Sequence, residues 1–104
     1  MKKTYNKLVR DRIPEMIEEQ GKTCVVEILS DEEYISMVDA KLDEELAEYH
    51  KDQNIEELAD LLEVMMAASA VRGHDFSEVE AIRREKAEKR GRFNDRIYLE
   101  SVTE

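Results

Sequence analysis

Apolar positions recur along the centre of the chain with the spacing of an amphipathic helix. Between residues 35 and 49 they are separated by three or four residues and form one stripe: Ile35, Val38, Leu42, Leu46 and Tyr49. This 3.6-residue period predicts an α-helix. Ser30 followed by Glu33 fits a capping box, so we expect the helix to begin at Asp31.

A second helix is predicted from Ile55 to about Arg72, and the pair Asn54 and Glu57 before it also fits a capping box. Residues 61–71, LLEVMMAASAV, are apolar on nearly every side of this helix. Such a helix must be buried on more than one side. Because a short chain has few helices to cover it, we expect a homodimer packed along this segment. An ordinary core helix with a broad apolar face is the alternative.

Shorter helices are predicted on both sides of this pair. Pro14 favours a helix that ends at Gly21, where a left-handed residue is common. Ser77 and Glu80 fit a third capping box, which predicts a helix over about residues 78–90.

Two further segments have the composition of β-strands, and we expect them to pair. They are residues 23–29, TCVVEIL, and residues 96–99, RIYL. The predicted fold is therefore all-α, an antiparallel bundle of about four helices with a minor two-strand element, forming a dimeric bundle. Residues 1–104 are too few for more than one domain.

Composition narrows the classes of function. The net charge of −10 argues against binding a nucleic acid polymer, because phosphates would be repelled. Residues 25–82 carry most of the acidic side chains, whereas the two ends of the chain are more basic. No apolar run approaches the roughly 20 residues of a membrane span, and the lone Cys24 fits a reducing compartment. We therefore expect a cytoplasmic protein.

Paired carboxylates flank the predicted break between the two central helices. Glu45 and Glu48 are three residues apart, and Glu57 and Asp60 repeat that spacing. Residues at this spacing share a helix face. If the chain turns back at residues 50–54, the two pairs face each other and offer hard oxygen ligands, which suit Mg²⁺ or Mn²⁺.

Other interpretations of the acidic residues are open at this point. In so acidic a chain the pairs could form a solvated surface, and Glu57 could cap its own helix. The Glu-x-x-His pattern of di-iron bundles is absent, because Ala47 and Val71 stand three residues before His50 and His74.

Several phrases of the chain together resemble one family. KLDEELAEY followed by EELADLLEVMMA, with YNKLVRDRIPEMI near the start and EKRGRF and IYL near the end, resembles the MazG-like all-α nucleotide pyrophosphohydrolases. The likeness is to their small phosphoribosyl-ATP pyrophosphohydrolase-like branch. It implies Mg²⁺-dependent hydrolysis of a nucleoside triphosphate, canonical or not, to a monophosphate and pyrophosphate.

The same resemblance implies roles for individual residues. The implied metal ligands are Glu45, Glu48, Glu57 and Asp60. The residues implied in catalysis are Lys41, Glu44 and Glu45. The basic residues implied in binding substrate phosphates are Lys86, Lys89, Arg90, Arg10 and Arg12. Two alternatives are hydrolysis of phosphoribosyl-ATP itself and a non-catalytic helical adaptor that binds nucleotide or protein. Whether dimers pair into tetramers is left open.

Overall fold

The residues that the structure describes form four helices. A computed structural model describes residues 2–104, and its helices are α1 (Ile13–Glu19), α2 (Asp31–Asp52), α3 (Ile55–Val71) and α4 (Phe76–Arg90). The described residues contain no strand, and none of their helices is long and apolar enough to cross a membrane. The predicted all-α class is confirmed.

The two central helices form an antiparallel hairpin with a two-residue turn. The predicted capping box opens α2, with the Glu33 N–H donating to the Ser30 hydroxyl and the Ser30 N–H donating to the Glu33 carboxylate. Gln53 ends α2 in the left-handed region (φ 51°) and donates its N–H to the Tyr49 carbonyl. Asn54 then caps α3. So short a turn forces α3 to run back beside α2.

The apolar faces of α2 and α3 pack on each other along the hairpin. Val38 is fully buried at the centre of this contact. The half-buried apolar residues of the two helices recur at helical spacing: Ile35, Leu42 and Tyr49 in α2, and Leu61, Val64, Ala68 and Val71 in α3. Four of the five residues in the stripe predicted on α2 are therefore covered, whereas Leu46 is 43% exposed. By contrast, α4 makes a much slighter contact with α3, and α1 packs against no described helix.

The chain exposes far more surface than a compact monomer of its size. Its accessible surface is 9790 Å², whereas a compact 12.2-kDa protein exposes about 6,100 Å². Its radius of gyration is 18.5 Å, against about 13 Å for a compact domain of this length. Part of the exposed surface is apolar, because the outer side of α3 carries a stripe of side chains that are 40–46% exposed: Leu58, Leu62, Met65 and Met66. We call these four residues the outer stripe.

The two predicted strands are not formed. Residues 23–29 and 96–99 are irregular. Most of their apolar side chains lie in solvent, and Val25 and Ile28 are 98% and 95% exposed, whereas Cys24 and Leu29 are half-buried. The expectation rested on composition, and a two-stranded pair is not stable in water unless something covers its apolar face. Cys24 contacts the Pro14 carbonyl of α1, but no described helix face covers the exposed Val25, Ile28 or residues 97–99, which is the physical reason for the difference.

The predicted start of α4 is wrong by two residues. The cap is Asp75, whose carboxylate accepts the Ser77 N–H at 2.9 Å, while the Glu78 carboxylate accepts the Asp75 N–H at 2.8 Å. Asp75 and Glu78 thus form the capping box that the sequence suggested for Ser77 and Glu80. The earlier start adds the half-buried Phe76 to the helix.

The cap of α4 generates a prediction that depends on pH. Asp75→Ala should lower the melting temperature, whereas Ser77→Ala should change it little, since only Asp75 accepts the N–H of the first turn. The backbone and side chain of Ser77 lower the pKa of Asp75 below its ordinary 3.8. The stabilisation is therefore complete above that value and lost as the pH falls through the lower folded-state pKa.

Thermal unfolding followed by helical circular dichroism at neutral and acidic pH measures both effects. The difference in melting temperature between the two variants should become smaller at acidic pH. If Ser77→Ala is the more damaging variant at neutral pH, the assignment of the cap is wrong.

Candidate metal centre

The α2–α3 hairpin brings three carboxylates together near its turn. Glu45 on α2 and Glu57 and Asp60 on α3 each offer an oxygen, and these oxygens lie within 4.8 Å of one another. All three residues are half-buried. Glu45 is the most enclosed of the ion-paired carboxylates, with its side chain 12% exposed. We call these three residues the carboxylate triad.

A second group of carboxylates adjoins the triad on the side of the turn. Glu48, Asp52 and Glu57 also offer oxygens that lie within 4.8 Å of one another. Glu57 belongs to both groups, so the two form one acidic face. The four residues named from the sequence as metal ligands are thus brought to this face, and Asp52 joins them.

Glu57 does not cap its own helix with its side chain. Its N–H donates to the Asn54 side-chain oxygen at 2.9 Å, which satisfies the start of α3. Among the described residues no hydrogen bond returns from the Asn54 N–H to the Glu57 carboxylate, unlike the reciprocal boxes of α2 and α4. The Glu57 carboxylate is therefore left facing the other acids.

The acidic face raises the pKa of Glu57. Partial desolvation is the larger cause, and the negative charges of Asp52, Asp60, Glu48 and Glu45 add to it. Some of the free-energy cost of ionising Glu57 is offset by its position in the first turn of α3, where the helix dipole favours negative charge. A cation bound here would remove the remaining repulsion.

Lys41 and Lys7 bind the edge of the acidic face on α2. The Lys41 ammonium lies 3.2 Å from Glu44 and 3.4 Å from Glu45, and the Lys7 ammonium lies 3.1 Å from Glu44. Desolvation acts to raise the pKa of Glu44, but the hydrogen bonds from Lys7 and Lys41 outweigh it and lower that pKa. The Glu44 hydrogen bond in turn raises the pKa of Lys7.

Arg10 binds the opposite edge, on α3. Its guanidinium lies 2.8 Å from an Asp60 oxygen and 3.8 Å from Glu63. Arg12, by contrast, pairs with Glu15 three residues later and makes no described ion pair with the acidic face. The two N-terminal arginines that the sequence placed together thus have different surroundings.

The basic residues of α4 make no described ion pair with the acidic face. Lys89 pairs with Glu85 on its own helix, and Lys86 and Arg90 are exposed. The structure therefore does not bring Lys86, Lys89 and Arg90 into contact with the triad within one chain.

Sequence reasoning missed Lys7 and Asp52. Asp52 follows Glu48 by four residues, so helical spacing could have found it once α2 was known to extend to that residue. Lys7 carries no such signal, because it lies in an irregular segment 37 residues from its partner Glu44.

The acidic face is partly exposed, and the Asp60 side chain on it is 43% exposed. Two concavities of the chain lie elsewhere, one at residues 92–97 and one between the start of α2 and the end of α3. A ligand held at the acidic face would therefore need further walls to enclose it.

Comparison with known proteins gives one short similarity. A protein of Mycolicibacterium smegmatis (strain ATCC 700084 / mc(2)155), described as uncharacterized, is 63% identical over 41 residues, which are 39% of this chain and 42% of that protein. The chain thus matches less than half the length of this relative. No family model and no solved structure matches the chain.

The geometry of Glu57 predicts opposite effects of one substitution with and without metal. Because its raised pKa marks a charge that destabilises the folded state above that pKa, Glu57→Gln should raise the melting temperature of the metal-free protein. If Mg²⁺ binds the triad, it stabilises the wild type by about 2.7 kcal/mol at a concentration one hundred times its Kd, and the same variant should lose this stabilisation.

Glu56→Gln is the matched control, because it removes the same charge one residue earlier on the exposed side of α3. Thermal unfolding in EDTA and in Mg²⁺ measures both effects. Equal stabilisation of the two variants by Mg²⁺ would remove Glu57 from the ligand set.

Proposed function

We propose that the protein is a Mg²⁺-dependent nucleotide pyrophosphohydrolase, which cleaves a nucleoside triphosphate to a monophosphate and pyrophosphate. Mn²⁺ is the alternative ion. The observation that carries the proposal is the carboxylate triad, whose oxygens converge within 4.8 Å from two helices. The resemblance to the MazG-like family supplies the reaction, and we assign the chain to that family on the same grounds. The lone Cys24 is consistent with work in the cytoplasm.

The donor set fits a hard divalent cation. Carboxylate oxygens are the ligands that Mg²⁺ and Mn²⁺ prefer, and Mg²⁺ binds through few carboxylates while substrate phosphates and water fill its other positions. The candidate ligands are Glu45, Glu48, Glu57 and Asp60. When bound, the ion would neutralise phosphate charge and make water more acidic.

Residues beside the triad supply positioning and charge. Glu44, whose pKa is lowered by Lys7 and Lys41, stays ionised at neutral pH and can accept a hydrogen bond from the attacking water. Lys41 is 16% exposed and held between Glu44 and Glu45, so its charge lies beside the place of a bound phosphate.

The exposed apolar surface supports a dimer. The outer stripe of α3 continues the all-round apolar pattern that predicted one, and the chain's accessible surface of 9790 Å² exceeds a compact monomer's by much more than the roughly 800 Å² per partner of a standard interface. A second copy packed on this stripe would also cover part of the exposed acidic face. Its α4 is one source of the phosphate-binding Lys86, Lys89 and Arg90.

Hydrolysis should depend on both sides of the triad. Glu45→Gln and Asp60→Asn should each reduce Mg²⁺-dependent pyrophosphate release by at least about a hundredfold, because changes outside the ligand set alone cost 10–100-fold. Pyrophosphate release is measured over a panel of canonical and modified nucleotides, with Mg²⁺ or EDTA. Phosphoribosyl-ATP belongs in the panel.

Asp43→Asn serves as the control, since Asp43 is exposed on α2 and belongs to neither carboxylate group. Full activity of Glu45→Gln or Asp60→Asn would remove that residue from the ligand set. No turnover of any nucleotide by the wild type would favour the adaptor.

The dimer is tested by changing the outer stripe. Light scattering should give the wild type about twice the 12.2-kDa chain mass. Leu62→Lys should shift it towards the monomer, because a charge buried at an interface without a partner is unfavourable. Ile82→Lys is the control, as Ile82 is exposed on α4 outside the stripe. A monomeric wild type would contradict the dimer.

A further inference from the structure

The chain before α1 crosses the acidic face and binds both of its helices. Residues 4–12, which we call the arm, place the Lys7 ammonium 3.1 Å from Glu44 on α2 and the Arg10 guanidinium 2.8 Å from Asp60 on α3. These partners are 37 and 50 residues away in sequence, so the contacts are tertiary. Two cations of one short segment thus bridge the hairpin.

Charge is the main attachment of the arm. Every residue of the arm is exposed except Leu8, which is half-buried, and α1 after it packs against no described helix. The Lys7 and Arg10 side chains are themselves 44% and 56% exposed. Ion pairs this exposed are weak and are screened by salt, so the arm is held reversibly.

The arm and a metal ion would use the same oxygens. Arg10 binds Asp60, a member of the triad, and Lys7 binds Glu44, the neighbour of Glu45. A divalent cation attracts a carboxylate more strongly than a guanidinium does, because it carries twice the charge and approaches closer. Loading the triad would therefore release Arg10 from Asp60 and loosen the arm.

We propose that the arm is a cationic strap: it neutralises the acidic face when metal is absent, and Lys7 and Arg10 turn to the phosphate chain once a divalent cation occupies the triad. This inference rests on the proposed function of the same site. It makes Lys7 a phosphate-binding residue and gives Arg10 two successive partners. Once the metal ion neutralises the carboxylates, the phosphate chain bound beside it is the negative partner available to Lys7 and Arg10.

The strap predicts opposite changes in two affinities. In the double variant Lys7→Gln/Arg10→Gln, Mn²⁺ should bind about threefold to tenfold more tightly, because two competing ion pairs are lost. Inorganic tripolyphosphate should bind the Mn²⁺-loaded variant at least about tenfold more weakly, because two charge-assisted hydrogen bonds are lost. The electron paramagnetic resonance signal of free Mn²⁺ measures the first, and calorimetric titration measures the second.

Lys2→Gln/Lys22→Gln is the control, since it removes the same charge from two lysines that make no ion pair with a described residue. Equal Mn²⁺ affinity of the two double variants would overturn the strap and leave the proposed function standing. Tighter Mn²⁺ binding with unchanged tripolyphosphate affinity would overturn the phosphate-binding role. A wild type that binds no Mn²⁺ would overturn the proposed function and the strap together.

Discussion

The packing of α2 against α3 is the interaction on which the rest of the structure depends. It contains the fully buried Val38, and its two-residue turn at Gln53 and Asn54 fixes the direction of both helices. The same turn brings carboxylates from the last turns of α2 and the first turns of α3 within 4.8 Å of one another. Apolar contact along the hairpin thus holds together charges that repel each other at its end.

The protein's own cations balance this repulsion only in part. Lys41, Lys7 and Arg10 bind the two edges of the acidic face, at Glu44 and Glu45 on one side and at Asp60 on the other. The pKa of Glu57 is nevertheless raised, first by partial desolvation and then by neighbouring negative charges that these cations leave uncompensated. A divalent cation held between the helices would remove that excess, and the displaced basic groups would become available to a phosphate. One electrostatic imbalance therefore connects the hairpin, the candidate metal centre and the arm.

Local sequence signals predicted the hairpin well, because its helices are specified by neighbouring residues: the 3.6-residue stripe and the caps Ser30 and Asn54. The start of α4 was ambiguous, since Asp75 with Glu78 and Ser77 with Glu80 fit the same pattern. The strands were predicted from composition, which says nothing about what covers them. Convergence of the acidic pairs was predictable from their spacing and the turn. The contact of Lys7 with Glu44 was not, because a tertiary contact of an irregular segment leaves no local pattern.

The most direct test of the central claim is to locate a bound metal. Crystals grown with Mn²⁺ and measured on both sides of the manganese absorption edge give an anomalous difference map that shows the ion itself. We expect a peak between α2 and α3, ligated by Glu45, Glu57 and Asp60, with the Arg10 guanidinium withdrawn from Asp60. Well-ordered carboxylates with no anomalous peak among them, at a saturating concentration of Mn²⁺, would contradict it.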